Sequence, residues 1–438
     1  MIARHLILFR SEQIRAIARR LGWGVSDQAI SSLSNFVMGV IVVRTLGDTS
    51  FGAFTVAFLT YSLILNASRG LSTDPLLVRY SGTDHPTWRR VVACGSGTAL
   101  VVGSAAGVLS IAVGILLPSP LNGAFIALGI GLPGLMLQDS WRFSFFAAGR
   151  GSQAFLNDTF WTVLLIGGLL ALVATGHVTV FNSLLVFGLT ATVAALLGLA
   201  QTRVRPDMRA VRRWLVDHRS LGVRYLMENT ASSGATQLRA LIIGALAGLA
   251  TVGQIQAGMM LLGPFLVVLM GLAQVAVPEA SHVLTRGGPR RLRRFTLLLG
   301  GALAVGAVLW GAAMVLVLPH GLGELLLGST WSQTSPLVPP LTIQVIWACF
   351  SVGFGAGLRA LGASRLSLRA QLLTSTMYLS GGVIGGLIGT ALAVCWVAAG
   401  AAFVSAMGWG FALRRGVRLH ASELSAPPTG ALSAGAAR

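Results

Sequence analysis

LGWGVSDQAISSLSNFVMGVIVVRTL, residues 21–46, is an apolar stretch long enough to cross a bilayer, and Asp27, Ser31 and Asn35 interrupt it at intervals of four. At that spacing a helix sets all three on one face, so the crossing carries a polar stripe. The pattern returns 201 residues later, where Glu228, Ser232 and Thr236 open an apolar segment running to Gly248. The same interval pairs Gly47 with Gly248, Phe51-Gly52 with Val252-Gly253, and Pro118 with Pro319. The chain reads as two copies of one membrane unit. Each copy begins with a helix whose carboxylate lies about 10 Å inside its starting end.

Apolar residues make up 54% of the chain and charged residues 10%, more apolar surface than a soluble domain can hide. A crossing takes about 20 apolar residues, and roughly twelve such runs fill nearly the whole length. No room is left for a soluble catalytic domain, and no enzyme is expected. The formal charge of +19 rests on 32 basic residues, all of them arginine. They cluster at Arg4–Arg20, Arg79–Arg90, Arg150, Arg203–Arg219, Arg286–Arg294, Arg365–Arg369 and Arg414–Arg418. Two crossings separate successive clusters, and the turns between those crossings hold almost no basic residue. This positive-inside pattern places both termini in the cytoplasm and removes nucleic acid as the partner of the positive charge.

The expected organisation follows. Residues 1–20 form a cytoplasmic interfacial segment, with Leu6, Ile14 and Ile17 on one side and arginines that reach lipid phosphates. A six-helix lobe spans 21–200. A basic cytoplasmic linker, 201–220, lies near anionic headgroups. A second six-helix lobe spans 221–413, and the tail, 414–438, is cytoplasmic and disordered by composition. Six is even, so both copies enter from the same side. The expected fold is an all-α polytopic membrane protein of about twelve transmembrane helices, in two six-helix lobes related by a pseudo-two-fold along the membrane normal, with substrate at their interface.

Several motifs are set aside. Gly129-Ile130-Gly131-Leu132-Pro133-Gly134 matches GxGxxG but lies inside an apolar crossing with no βαβ unit, so it carries no cofactor. Cys94, Cys349 and Cys395 fall in apolar runs at no metal-ligand spacing and read as small buried hydrophobes. His177 and His320 fall in outer turns and read as solvated. No metal and no cofactor are expected. Gly103 and Gly107 have the small-xxx-small spacing of closely packed helices.

The charges within crossings carry the functional reading, because each costs on the order of 3 kcal/mol near the bilayer centre and so faces a bundle interior or water. The pathway candidates are Asp27, Ser31, Asn35, Arg44, Arg69, Glu228, Ser232, Thr236 and Arg239. The candidates nearer the cytoplasmic side are Asp74, Arg79, Asp139, Arg142, Asp158 and Glu279. Asp139 and Arg142 are three apart, a spacing at which they can pair with each other.

Five short stretches, Asp27-Gln28, Val43-Arg44-Thr45-Leu46-Gly47, Phe51-Gly52, Asp74-Pro75-Leu76, and Gln138-Asp139 through Arg142 to Phe145-Phe146 and Gly149, occur in an order that resembles the MOP flippase superfamily, and within it the Wzx-type polysaccharide exporters. The resemblance covers nearly the whole chain. It implies a bacterial plasma (inner) membrane protein with a central cavity lined mainly by the first, second, seventh and eighth helices. It also implies alternating access that flips a lipid-linked (polyprenyl-diphosphate) oligosaccharide from the inner to the outer leaflet for polysaccharide export, with H+ or Na+ as coupling ion, membrane lipids around it and glycosyltransferase or polymerase partners. Arg44, Arg69, Arg142 or Arg239 would meet the diphosphate, and Asp27 and Glu228 would exchange the ion. Two alternatives stand beside it: an ion-coupled multidrug or metabolite antiporter of the same superfamily, and a non-transporting membrane scaffold of a cell-envelope assembly complex.

Overall fold

The structure is a computed structural model that describes residue 23, residues 26–81 and residues 83–425, with side chains excepted at 220, 221, 224, 228–233, 274, 275, 278, 364 and 422–425. The interfacial segment expected at 1–20 lies outside the described residues, as do the side chains of Glu228 and Ser232. The described chain is helical almost throughout. Helices α1 (Ser26–Leu46), α2 (Asp48–Leu71), the short α3 (Thr73–Tyr80), α4 (His85–Leu116), α5 (Leu121–Ala147), α6 (Gly151–Thr175) and α7 (Val180–Thr202) are followed by α8 (Val211–Asp217) and α9 (Arg219–Ala247). Then come α10 (Leu249–Val317), α11 (Gly323–Leu327), α12 (Trp331–Thr334), α13 (Val338–Ala360), α14 (Ser364–Ile388) and α15 (Ala391–Ser425). Within α10, Gly288 leaves helical geometry at φ 70°, ψ −178° and divides the segment into two lengths. Among the described residues nine segments are long and apolar enough to cross a membrane by length and composition.

Local sequence explains where helices begin and end. Asp84 Oδ2 accepts the Thr87 amide at 3.1 Å and caps α4, with Pro86 in its first turn where the missing N–H costs nothing. Thr179 caps α7 in the same way, accepting the Asn182 amide at 3.0 Å. Three tryptophans bury their rings and give their indole N–H to backbone carbonyls of neighbouring elements: Trp88 to Ser144, Trp141 to Ala195 and Trp214 to Leu71. Each pays the cost of burying a polar N–H by tying two elements together. Trp214 belongs to α8, so the basic connection at 201–220 is anchored on the helical body through a buried ring. The glycines of the apparent dinucleotide fingerprint are packing points on α5: a Cβ on Gly129 would lie 2.6 Å from the Gly107 carbonyl, and one on Gly131 would lie 2.6 Å from the Gly188 Cα. Gly103 and Gly107 serve the same close approach from α4.

The residues form two compact units, 1–256 with 325–331 and 257–324 with 332–438. Inside the first, the repeat is visible as geometry. Gly47 and Gly248 turn the chain with closely similar torsions, φ 70°, ψ 168° and φ 86°, ψ 161°. A Cβ on Gly52 would overlap the carbonyl oxygen of Leu249, and one on Gly253 would overlap that of Asp48. Those four residues are two pairs separated by 201. Each copy's glycine therefore receives the other copy's helix start, the reciprocal contact that a two-fold relation requires. Gln254 Nε2 adds a 2.8 Å hydrogen bond to Asp48.

The repeat continues beyond the point at which the sequence shows it, at a longer interval. After α5 the Gly149 amide reaches the Phe146 carbonyl and the Arg150 amide that of Phe145; after α13 the Gly362 amide reaches Arg359 and the Ala363 amide Leu358. Gly149 and Gly362, at φ 68° and 67°, stand 213 apart. Helices α6 and α14 are each 25 residues long and end on left-handed glycines, Gly176 and Gly389, also 213 apart. The added twelve residues fall between Pro319 and Gly362, where α11, α12 and intervening 3-10 turns precede α13. Apolar side chains such as Leu327, Trp331 and Leu337 explain the compactness of this connection, since each is buried. At the other end α15 continues to Ser425, past Leu413 where the last crossing is expected to stop. Arginine is a good helix former, so the Arg414, Arg415 and Arg418 cluster does not end the helix.

Candidate functional site

In the first unit, polar side chains from five helices meet. Asp27 on α1 is fully buried. The Arg142 guanidinium of α5 holds it, with Nε donating to Oδ2 at 2.6 Å and Nη2 standing 2.5 Å from the same oxygen. Arg142 Nε also lies 3.3 Å from Asp158 Oδ2 on α6, and Nη2 donates to Gln28 Oε1 at 3.5 Å. The other Asp158 oxygen accepts Gln138 Nε2 at 2.7 Å. Asn157 continues the network, donating to the Ala194 carbonyl and to Gln201 Oε1, each at 3.0 Å. One turn away on α5, Asp139 grips Arg69 of α2 in a fork, Nε to Oδ2 at 2.9 Å and Nη2 to Oδ1 at 2.6 Å. The Arg69 guanidinium rests 4.9 Å from the Phe143 ring centroid.

Burial makes this pairing obligatory. An isolated charge in the bilayer interior costs on the order of 3 kcal/mol, whereas a bidentate arginine–carboxylate pair satisfies both partners. The expected Asp139–Arg142 pair does not form. Both lie on α5, but Asp139 faces Arg69 on α2 while Arg142 faces Asp27 and Asp158. A partner on another helix offers the planar fork its matching geometry, which an i, i+3 neighbour on the same helix does not.

The five charges of this cluster do not balance. Asp27, Asp139 and Asp158 carry three negative charges against the two positive charges of Arg69 and Arg142. The imbalance has a location: Asp27 Oδ1 is buried and has no hydrogen-bond partner among the described residues. A buried acceptor without a donor costs about 1–3 kcal/mol, and a bound proton removes both the cost and the excess charge. Among the described residues no set of three or more His, Cys, Asp or Glu side chains is arranged to hold a metal ion.

The other candidates scatter. Ser31 is half-buried and Asn35 exposed, so burial along the stripe on α1 falls from Asp27 to Asn35. Arg44 is exposed, Thr236 is exposed and Arg239 is buried. Asp74 is half-buried; Arg79 is exposed and donates to the Asp217 carbonyl at 3.3 Å. Glu279 is exposed. Sequence reading missed Gln201 as a member of the network. Its only signal is a polar residue at the end of an apolar crossing.

The sequence matches no protein-family model and no curated protein. Solved structures do match. The inward-facing conformation of a multidrug resistance MATE family transporter of the MOP superfamily is similar over 92% of this chain and 99% of its own, with TM-score 0.70 and 17% identity. The outward-facing conformation of a multidrug resistance MATE family transporter of that superfamily is similar over 94% of this chain and 95% of its own, with TM-score 0.51 and 16% identity. A MOP superfamily transporter from Pyrococcus furiosus, described as having a binding pocket of reverse polarity, covers 94% and 96% with TM-score 0.53 and 16% identity. This chain has the fold of those transporters: all-α, polytopic, about twelve transmembrane helices in two six-helix lobes.

Proposed function

We propose that this chain is an alternating-access transporter of the bacterial plasma membrane, both termini cytoplasmic, coupled to protons at the Asp27–Arg142–Asp158 cluster. Its cargo is a lipid-linked oligosaccharide moved from the inner to the outer leaflet for polysaccharide export, in concert with glycosyltransferase or polymerase partners. The observation that carries the reading is the buried Asp27 oxygen, which has no hydrogen-bond partner among the described residues, in a cluster whose described charges are one positive short. One proton neutralises it, whereas Na+ would need several oxygen ligands. Two of the four arginines expected to meet a diphosphate, Arg69 and Arg142, are already held by carboxylates. Protonating Asp27 or Asp139 removes one negative charge from the partners of a guanidinium and weakens the hold on it, and an anionic headgroup can then compete for its free N–H donors. Proton uptake and cargo binding are thereby linked through one side chain.

The cargo rests on the order of the motifs and on arginines within crossings. A second reading, multidrug efflux, is favoured by the multidrug resistance transporters among the structures of similar fold. The test compares cells lacking the protein, cells carrying it, and cells carrying Asp27→Asn at equal expression. Lipid-linked oligosaccharide accumulating in the inner leaflet, with surface glycan lost and not restored by Asp27→Asn, is the expected result. Unchanged glycan with altered drug resistance would transfer the assignment to efflux. Full rescue by Asp27→Asn would remove the proton site and favour a scaffold.

A further inference from the structure

The second unit contains a cavity of about 430 Å³ framed by faces of α10, α13, α14 and α15. Its lining on α13 follows one helix face from Gln344 to Arg359, a rise of about 22 Å at ~1.5 Å per residue. The repeat interval of 213, set by the matching ends of α5 and α13 and of α6 and α14, relates this cavity to the charged cluster of the first unit. Asp139 corresponds to Val352, Arg142 to Gly355 and Asp158 to Gln371. All three of these counterparts line the cavity. The space is therefore explained: glycine stands where the other copy places a guanidinium, and neutral side chains stand where it places carboxylates.

What remains is chemically distinct. Ser351, Gln371, Thr374 and Ser405 offer neutral hydrogen-bonding groups, while most of the wall is alanine, glycine, valine and aromatic. Trp409 is fixed by donating its indole N–H to Thr374 Oγ1 at 3.0 Å. Arg359, in the last turn of α13, is the one charged residue among the described lining residues, and it is exposed at that end. An apolar pocket with a few neutral hydrogen-bonding groups and a single guanidinium selects an elongated amphiphilic organic anion.

We infer that the second unit, where the counterparts of Asp139, Arg142 and Asp158 are neutral, uses the space they leave as a binding site for an amphiphilic organic anion, with its anionic group at Arg359 and its apolar body along α13. The site is independent of the cargo assigned above.

The experiment uses the full chain in nanodiscs of zwitterionic phosphatidylcholine, with 11-(dansylamino)undecanoic acid as the anionic probe and dansylcadaverine as the cationic control. Saturable dansyl fluorescence with energy transfer from tryptophan is expected for the anion, and Arg359→Gln weakens it at least about tenfold. Ala402→Phe, which narrows the cavity, abolishes it, while Asp27→Asn in the first unit leaves it unchanged even where transport fails. Arg359 is exposed, so its replacement tests the site even where Ala402→Phe does not fold. Equal anion binding by wild type and Arg359→Gln would overturn the proposal. So would equal affinity for dansylcadaverine, or displacement of the probe by a neutral alkyl glucoside alone.

Discussion

Asp27 and Arg142 are bonded to each other, yet their replacement should have opposite consequences. Removing Arg142 leaves Asp27, Asp139 and Asp158 buried against one guanidinium, so Arg142→Gln should destabilise the protein by about 3–5 kcal/mol. Thermal unfolding in detergent would read this as a large fall in melting temperature, partly restored in the Arg142→Gln, Asp158→Asn double variant. Asp27→Asn instead keeps an acceptor for Arg142 and brings the cluster to neutrality. Its melting temperature should stay within the range expected of about 1 kcal/mol, while proton-driven transport is lost. A comparable loss of stability in both variants would show that Asp27 serves as a structural ion-pair partner. At Arg69, replacement by Lys keeps the charge but removes the planar fork that meets both Asp139 oxygens. Transport should fall although the net charge does not change.

At the scale of the element, the junction between α1 and α2 and that between α9 and α10 carry the repeat. Gly52 and Gly253 approach carbonyl oxygens too closely for any side chain. Gly52→Ala and Gly253→Ala should each force the helix starts apart at a cost of about 1–3 kcal/mol, seen as reduced melting temperature. Gly47→Ala acts differently, because no atom stands near its missing Cβ and the cost is that of φ 70° with ψ 168°, a conformation only glycine adopts readily, on the order of 1–3 kcal/mol. If Gly52→Ala left the melting temperature unchanged, the close approach would not be what sets the junction. Much of this was legible beforehand, since the interval of 201 already pairs Gly47 with Gly248 and Gly52 with Gly253. The later interval of 213 was not, because the residues that mark it, Gly149 and Gly362, differ in neighbours and share only a backbone conformation.

For the molecule as a whole, the alternation of arginine clusters makes a checkable statement about sidedness. With its native cysteines replaced, a single cysteine at Gly176 should react with a membrane-impermeant maleimide added outside intact cells, and one at Arg150 only after the membrane is opened. The reverse pattern would invert the topology and with it the direction of transport. Composition and periodicity alone determined that the chain is helical, crosses the membrane many times and consists of two related halves. Those properties follow from the length of apolar runs and the spacing of residues on one helix, both local in sequence. Which charges meet was decided only by the tertiary structure. Asp27 finds Arg142 across 115 positions and Arg69 finds Asp139 across 70, and no spacing rule reaches that far. The expected Asp139–Arg142 pair failed for this reason: a local rule proposes neighbours on one helix, while buried charges are satisfied by whichever helix presents the complementary fork. The cavity of the second unit is likewise a tertiary fact, since a glycine at 355 becomes space only when four helices close around it.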